Sequence, residues 1–497
     1  MAIPKVCGIE TEYGIMLRGA GESNPIAASS ALINAYVNEV QRKVGWDFED
    51  EAPGNDARGF AREGSAPPEI ETNLVNTVLT NGARYYVDHA HPEYSTPECA
   101  TPRQVVVFDK AGEQILSRSM QAAARTLPAS QGIVVYKNNS DRKGNSYGTH
   151  ENYLVDRSVP FARIVQHVIP YFVTRQIFTG AGKVGSEAPG AGGAPVHFQL
   201  TQRADFFEEE VGLETTLKRP IVNTRDEPHA DAQKYRRLHV IVGDANLAEV
   251  STYLKIGVTA LLLAMIEDDW LAERDFTLAA PVQAMRRVSY DLSLQQPLDM
   301  ADGTKMTALA LQWELHDLAR KYSDERGLEP LGSHEAGLEV LRRWEAVLTA
   351  LESDPMSLAD QLDWVAKYQL IDSYRARHDL SWDDHRLAAM DLQYHDVRPE
   401  KSLFVRLPME RLTTDEEVTR AITEPPSDTR AYFRGKCLQR WAGSIAAANW
   451  DSLVFDLGVD PLRRVPMMEP LRGTAAHVDS LLEGCSSPAE LLERLGS

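Results

Sequence analysis

The chain has 497 residues, with 52 Lys plus Arg against 72 Asp plus Glu and a formal charge of −20. That acid excess argues against a general nucleic-acid binder, whose affinity rests on basic side chains displacing counterions, although a local basic groove is compatible with it. Four scattered cysteines, Cys7, Cys99, Cys437 and Cys485, form no CxxC pair, so neither a structural zinc site nor a disulfide framework is suggested, and reduced thiols in a cytoplasmic protein are expected.

In chain order, KVCGIETEYGIM reads as a strand entering the core, with Glu10 and Glu12 on one face. Side-by-side carboxylates repel unless a cation or water compensates, and Mg2+ takes such oxygen ligands; a solvated edge strand satisfies the same pattern. Ile33, Val37 and Val40 predict a helix over Ala27–Val40. The acidic, Pro- and Gly-containing Gly45–Pro68 stretch predicts an insertion or lid, about residues 45–80, with a disordered linker as the alternative. Strands are predicted at Arg84–Asp88, Gln104–Asp109, Ile133–Tyr136, Asn152–Val155, His197–Leu200 and Leu238–Val242. Helices are predicted at Ser117–Ala124, Phe161–Gln176 and Thr252–Asp268, and helical periodicity dominates Glu335–Ala389. The longest apolar run, Ile256–Ile266, falls short of the roughly 20 residues that cross a bilayer, so no membrane association is expected. A boundary near Glu424-Pro425-Pro426 divides residues 1–425 from a small C-terminal domain, 426–497. That tail carries a predicted helix at Arg430–Ala448, a strand at Ser452–Gly458 and a helix at Pro488–Leu495. The pattern is α+β: a curved, largely antiparallel sheet with helices on one side.

Four stretches hold candidate chemistry. The first is the Glu10–Glu12 pair. In NGARYYVDHAHPEYSTPE, Arg84, Tyr86 and Asp88 share a strand face, followed by His89, His91 and Glu93; a surface hairpin is the plainer alternative. In GTHENYLV only one of His150 and Glu151 faces a cleft, and His150 is the choice. Arg237 and His239 share a face behind the polar loop holding Arg225, as a phosphate or carboxylate site or as a structural ion-pair network. GAGKVG lacks the first glycine and the hydroxyl residue of a phosphate-binding loop.

GIETEYG, NGARYYVDHAHPEYSTPE, YKNNSDRKGNSYGTHENYL, NTRDEPHADAQKYRRLHVIVGDANLAE and TRAYFRGKCLQR with NWDSLVFDLG together resemble the Pup ligase and Pup deamidase/depupylase family, over nearly the whole chain. The resemblance implies a glutamine synthetase-like fold, whose curved antiparallel sheet cradles Mg2+ and ATP or ADP and whose small C-terminal domain closes one end. It implies Pup and pupylated proteins as partners, with an indirect link to the bacterial proteasome. The insertion, VDHAHPEYS, GLETTLKR and IAAANWDSLVFDLG resemble the deamidase branch, so the expected activities are deamidation of the C-terminal Gln of Pup and cleavage of the Pup–lysine isopeptide bond. The alternative is a Pup–protein ligase using ATP. By the same resemblance Asp88 is the catalytic residue. Glu10, Tyr86, Glu93, His150 and His239 fall to the metal, and Arg84, Thr96, Trp450 and Arg237 to the nucleotide. Arg203 and Arg225 fall to the substrate.

Overall fold

A computed structural model describes residues 1–19, 24–40, 43–49, 51–61, 74–188 and 196–496. The main sheet is built from β1 (Cys7–Glu12), β2 (Gly45–Trp46), β3 (Asn76–Val78), β4 (Arg84–Asp88), β5 (His91–Ser95), β6 (Thr149–Asp156), β7 (Tyr235–Val240), β8 (Ile445–Ala448), β9 (Ser452–Phe455) and β10 (Arg463–Pro466). Its spatial order is β7-β6-β1-β5-β4-β3-β2-β8-β9-β10. Neighbours pair antiparallel except β2 with β8, so the fold is mixed α+β with a large, mainly antiparallel sheet.

Strand alternation sets the two faces of this sheet. In β1, Cys7 and Ile9 are buried in the core while Gly8 and Glu10 remain half-buried on the opposite face. Helices α1 (Pro25–Val40) and α2 (Pro102–Ala124) contribute Leu32, Ile33, Val105 and Ile115 to the same core. Gly112 lets α2 approach the sheet closely, because a Cβ there would stand 2.4 Å from the Tyr94 ring.

Helix α2 overturns one expectation, since Gln104–Asp109 was expected to be a strand and lies in its first turns. The QVVVFD run favours β locally, but Thr101 caps the helix by accepting from Gln104 N–H and Pro102 fits its first turn. Burial of Val105, Phe108 and Ile115 against the core then fixes the helical period. Helix α3 (Phe161–Thr174) meets its expected span closely. Helix α4 (Glu249–Glu267) has 19 residues and is long and apolar enough to cross a bilayer. Its most apolar stretch is 100% buried within the protein, the setting of a core helix.

Three smaller readings also change. Gly132–Tyr136 pairs with Gly14–Arg18 rather than joining the main sheet. At His197–Leu200 only Phe198–Gln199 is a strand, paired with Lys183–Val184. The expected Arg430–Ala448 helix ends at Trp441 and becomes β8 at Ile445, because its last residues pair with β2 and β9 inside the sheet.

The tail beyond residue 426 shares both sheet and core with the segment around residues 44–78. Val44, Trp46 and Val78 pack in one cluster with Phe433, Leu453, Phe455 and Leu491. Residue 50 and residues 62–73 of the expected lid lie outside the described residues, and the described part before 62 is tied down. Ala57 N–H donates to the Thr224 carbonyl at 2.8 Å, and Asp226 N–H to the Asn55 carbonyl at 2.8 Å. Asn76–Val78, inside the expected 45–80 insertion, is a strand of the main sheet.

Candidate active site

Cross-strand register assembles the functional face. Glu10 lies opposite His150, Glu12 opposite Glu93, Tyr86 opposite Glu93, Asp88 opposite His91 and Asn152 opposite His239. Directly opposed Cβ atoms are about 5 Å apart, so these pairs concentrate acids and imidazoles on one patch. Two groups result, each with ligand atoms within 4.8 Å of one another: Glu10, His150 and His239, and Glu12, Asp88 and Glu93. His150 joins them, its Nδ1 lying 3.4 Å from Glu10 Oε2 and its Nε2 3.8 Å from Glu12 Oε1.

The electrostatics of the patch are divided. Burial opposes ionisation of Glu10, yet the His150 hydrogen bond and the charges of His239 and Arg237 hold its carboxyl well below the usual carboxylate range. Glu12 is likewise held at about 2 against burial, by His91, His150 and the Gly148 N–H that donates at 2.8 Å. Glu93 goes the other way. Burial, then the charges of Asp88, Glu12 and Glu10, push its carboxyl well above the ordinary value. This direction favours either a proton or a bound cation at Glu93.

Tyr86 supports Glu93. Its hydroxyl donates to Glu93 Oε1 at 2.6 Å, and burial together with Glu93 raises the phenol's pKa well above 10.0. Through this bond the neutral phenol orients the Glu93 carboxyl. Asp88 ends β4 with its side chain 29% exposed, beside His89, whose Nδ1 is 2.8 Å from Asp88 Oδ2. His89 turns the β4–β5 hairpin at φ +50, a left-handed conformation uncommon without glycine. Gly148 closes the patch from β6's side: a Cβ there would fall 2.1 Å from His150 Nε2 and 2.8 Å from Glu12 Oε1. Glu151, the alternative to His150, is buried on the opposite face in an ion pair with Arg175 at 2.6 Å.

A pocket opens beside Glu10, lined among others by Gly8, Thr96, Glu98, Arg237, Arg430 and Trp450. Thr96 uses its hydroxyl to accept from Ile9 N–H at 3.0 Å, which fixes the pocket floor. Arg237 donates from Nε to the Glu227 carbonyl and from an Nη to Asn152 Oδ1, both at 2.7 Å, and stands 3.7 Å from Glu10. Arg84 is outside the pocket lining, clasped between the Trp46 and Tyr86 rings at 3.9 Å from each. Trp46 in turn meets the Trp450 ring edge-on at 5.3 Å. Arg225 approaches the same charges from its loop, with its Nε buried and lacking a hydrogen-bond partner. Arg203 is 2% exposed and bonds to Ser146 and the Ile241 carbonyl, near Glu12 rather than near this pocket.

The structure thus draws ten of the twelve expected residues around Glu10 and Glu93, with Arg203 and Arg225 at its flanks. Sequence reasoning paired Glu12 with Glu10 as candidate cation ligands and named His91 after Asp88, but gave no role to Trp46 or Glu98. Glu12 carried the same signal as Glu10, a carboxylate two positions along one strand face. Trp46 carried none, because its place beside Arg84 follows from the β2–β3 pairing.

The profile of the family described as Pup-ligase protein matches residues 5–454. The depupylase of Acidothermus cellulolyticus is 54% identical over 99% of this chain and 99% of its own. The Pup deamidase/depupylase of Mycolicibacterium smegmatis is 50% identical over 99% of each. Among solved structures, the ligase PafA in complex with the prokaryotic ubiquitin-like protein Pup matches with a TM-score of 0.81 at 34% identity, covering 99% of this chain and 94% of that one. PafA in complex with ADP matches with a TM-score of 0.74 at 38% identity, covering 82% and 89%.

Proposed function

The chain belongs to the Pup-ligase protein family, and from that premise we propose that it is a Pup deamidase/depupylase. It hydrolyses the C-terminal Gln of Pup to Glu and cleaves the isopeptide bond between Pup and a target lysine. The observation that carries this reading over ligation is identity of 50–54% to depupylases across the whole chain, against 34% and 38% to the two ligase structures.

The sheet is read as the curved cradle of a glutamine synthetase-like fold, with Mg2+ and a nucleotide as its cofactors. The donor set fits a hard cation. Glu93 is 2% exposed among three other carboxylates and supported by Tyr86, an arrangement that only a proton or a cation balances. Glu10, Glu12 and Glu93 would hold the ion, with His150 and His239 orienting Glu10. The pocket of Thr96, Trp450, Arg237 and Arg430 suits a nucleotide, whose base would meet Trp450 and whose phosphates would meet the arginines. The ADP complex of PafA supports a nucleotide in this family. When bound, the ion would supply the positive charge that polarises the reacting carbonyl.

Asp88 does the bond-making chemistry, as nucleophile toward the carbonyl or as general base toward water. Its partial exposure leaves it open to substrate, and His89 holds the carboxylate's second oxygen. Arg84, Arg225 and Arg237 bring positive charge to a protein of net charge −20, which allows an acidic tag to approach. The test pairs two mixtures. Pup ending in Gln should release ammonia, and a Pup–lysine conjugate should return free target. Conjugate formation with ADP release from Pup ending in Glu, with neither hydrolysis, would overturn the assignment in favour of the ligase.

A further inference from the structure

We propose that Arg219, with Arg203 and Ser146, forms a subsite for the free α-carboxylate of the substrate's last residue. The proposal rests on the hydrolase reading above and adds the group by which the enzyme identifies a chain end.

The guanidinium groups of Arg203 and Arg219 both bond to Ser146, which makes them neighbours. Arg203 is 2% exposed; its Nε donates to Ser146 Oγ at 3.2 Å and an Nη to the Ile241 carbonyl. Arg219 donates from an Nη to the Ser146 carbonyl at 2.8 Å, while its Nε is buried with no hydrogen-bond partner among the described residues. Among the described residues neither forms an ion pair; Glu12, Asp244 and Glu208 act on them only through space. Burial, then Arg219, lower the Arg203 pKa to about 10. Two adjacent cations, one fully buried and neither neutralised, are strongly unfavourable unless an anion completes the set.

Position identifies the anion. The pair connects through Ser146–Gly148 to the catalytic patch, since Gly148 N–H donates to Glu12 Oε1 and Glu12 is grouped with Asp88. The phosphate-suited arginines, Arg237 and Arg430, line the other pocket beside Glu10. A substrate that reacts at the side-chain carbonyl of its C-terminal residue carries an α-carboxylate a short aliphatic spacer away. Carboxylate on guanidinium is a charge-assisted, bidentate match. The group is common to Pup ending in Gln and to the isopeptide conjugate, so one subsite serves both reactions.

The test compares Pup ending in Gln with the same chain carrying an α-carboxamide, using the full protein, R219Q and R219K. Wild type should favour the free carboxylate. R219Q should raise KM for that form by about 10- to 100-fold, leave the carboxamide form nearly unaffected and so erase the preference, with kcat changing less. R219K should restore part of the preference, and nucleotide affinity should not move in either variant. A parallel loss on both substrates, an unchanged preference in R219Q, or a loss of nucleotide affinity instead would each overturn the proposal. Wild type turning over neither form would count against the hydrolase reading. Equilibrium binding of the two Pup forms to wild type and R219Q then decides the subsite separately, a lost preference supporting it and a retained one overturning it.

Discussion

Glu98→Gln tests how the C-terminal segment is fixed to the pocket beside Glu10. Glu98 accepts from Arg430 Nε at 2.7 Å and from both terminal nitrogens of Arg434. The two arginines are 3% and 0% exposed and have Glu98 as their shared carboxylate. Removing one partner of a buried pair leaves uncompensated charge and costs about 3–5 kcal/mol. An independent route gives a similar size. Burial raises the Glu98 pKa, but Arg434 and Arg430 outweigh it and hold the carboxyl at about 2 against 4.5 ordinarily. At about 1.36 kcal/mol per pH unit that is on the order of 3 kcal/mol, and at 14% side-chain exposure solvent screens little of it. Because the folded-state pKa is depressed, this stability is fully present above about pH 4.5 and is lost as pH falls towards 2. Denaturant unfolding at pH 7 should show E98Q destabilised by about 3 kcal/mol or more. The gap between wild type and variant should close as the pH is lowered through that window. A loss under about 1 kcal/mol, or a gap unchanged between pH 5 and 3, would refute the reasoning.

Two further outcomes follow from the patch. E93Q replaces a carboxyl whose pKa burial and the neighbouring carboxylates raise well above the ordinary value. In chelator it should unfold no more easily than wild type and lose the fall in stability that wild type shows as pH rises above the carboxylate range, while its Mg2+ affinity measured by calorimetry drops about 10-fold or more. Gly148→Ala places a methyl group where His150 and Glu12 already stand. Thermal melting should report a cost of about 1–3 kcal/mol, whereas turnover should fall much further, and normal turnover would show that His150 need not hold its observed position.

The site was partly legible in the sequence because strand alternation is local. Arg84, Tyr86 and Asp88 could be placed on one face from spacing alone, as could Glu10 with Glu12. What spacing cannot supply is register, and it is register that sets Glu12 against Glu93 and Glu10 against His150. Arg219 carried no periodic signal; it reaches the patch through its contact with Ser146, 73 residues away. Gln104–Asp109 misled because three consecutive valines favour a strand, while the Thr101 cap and burial on α2 decide for a helix. The proline pair at 425–426 suggested a domain edge, yet β8 continues the sheet from β2 across it.

In the proposed hydrolysis the bond-making group is Asp88, set among Glu12 and Glu93. Intact mass of Pup ending in Gln, followed with wild type and D88N in Mg2+ and nucleotide, tests it most directly. Wild type should produce the mass gain of an amide-to-acid exchange, and D88N, folded and still binding nucleotide, should be slower by about 100-fold or more. Conversion by D88N at the wild-type rate would contradict the account.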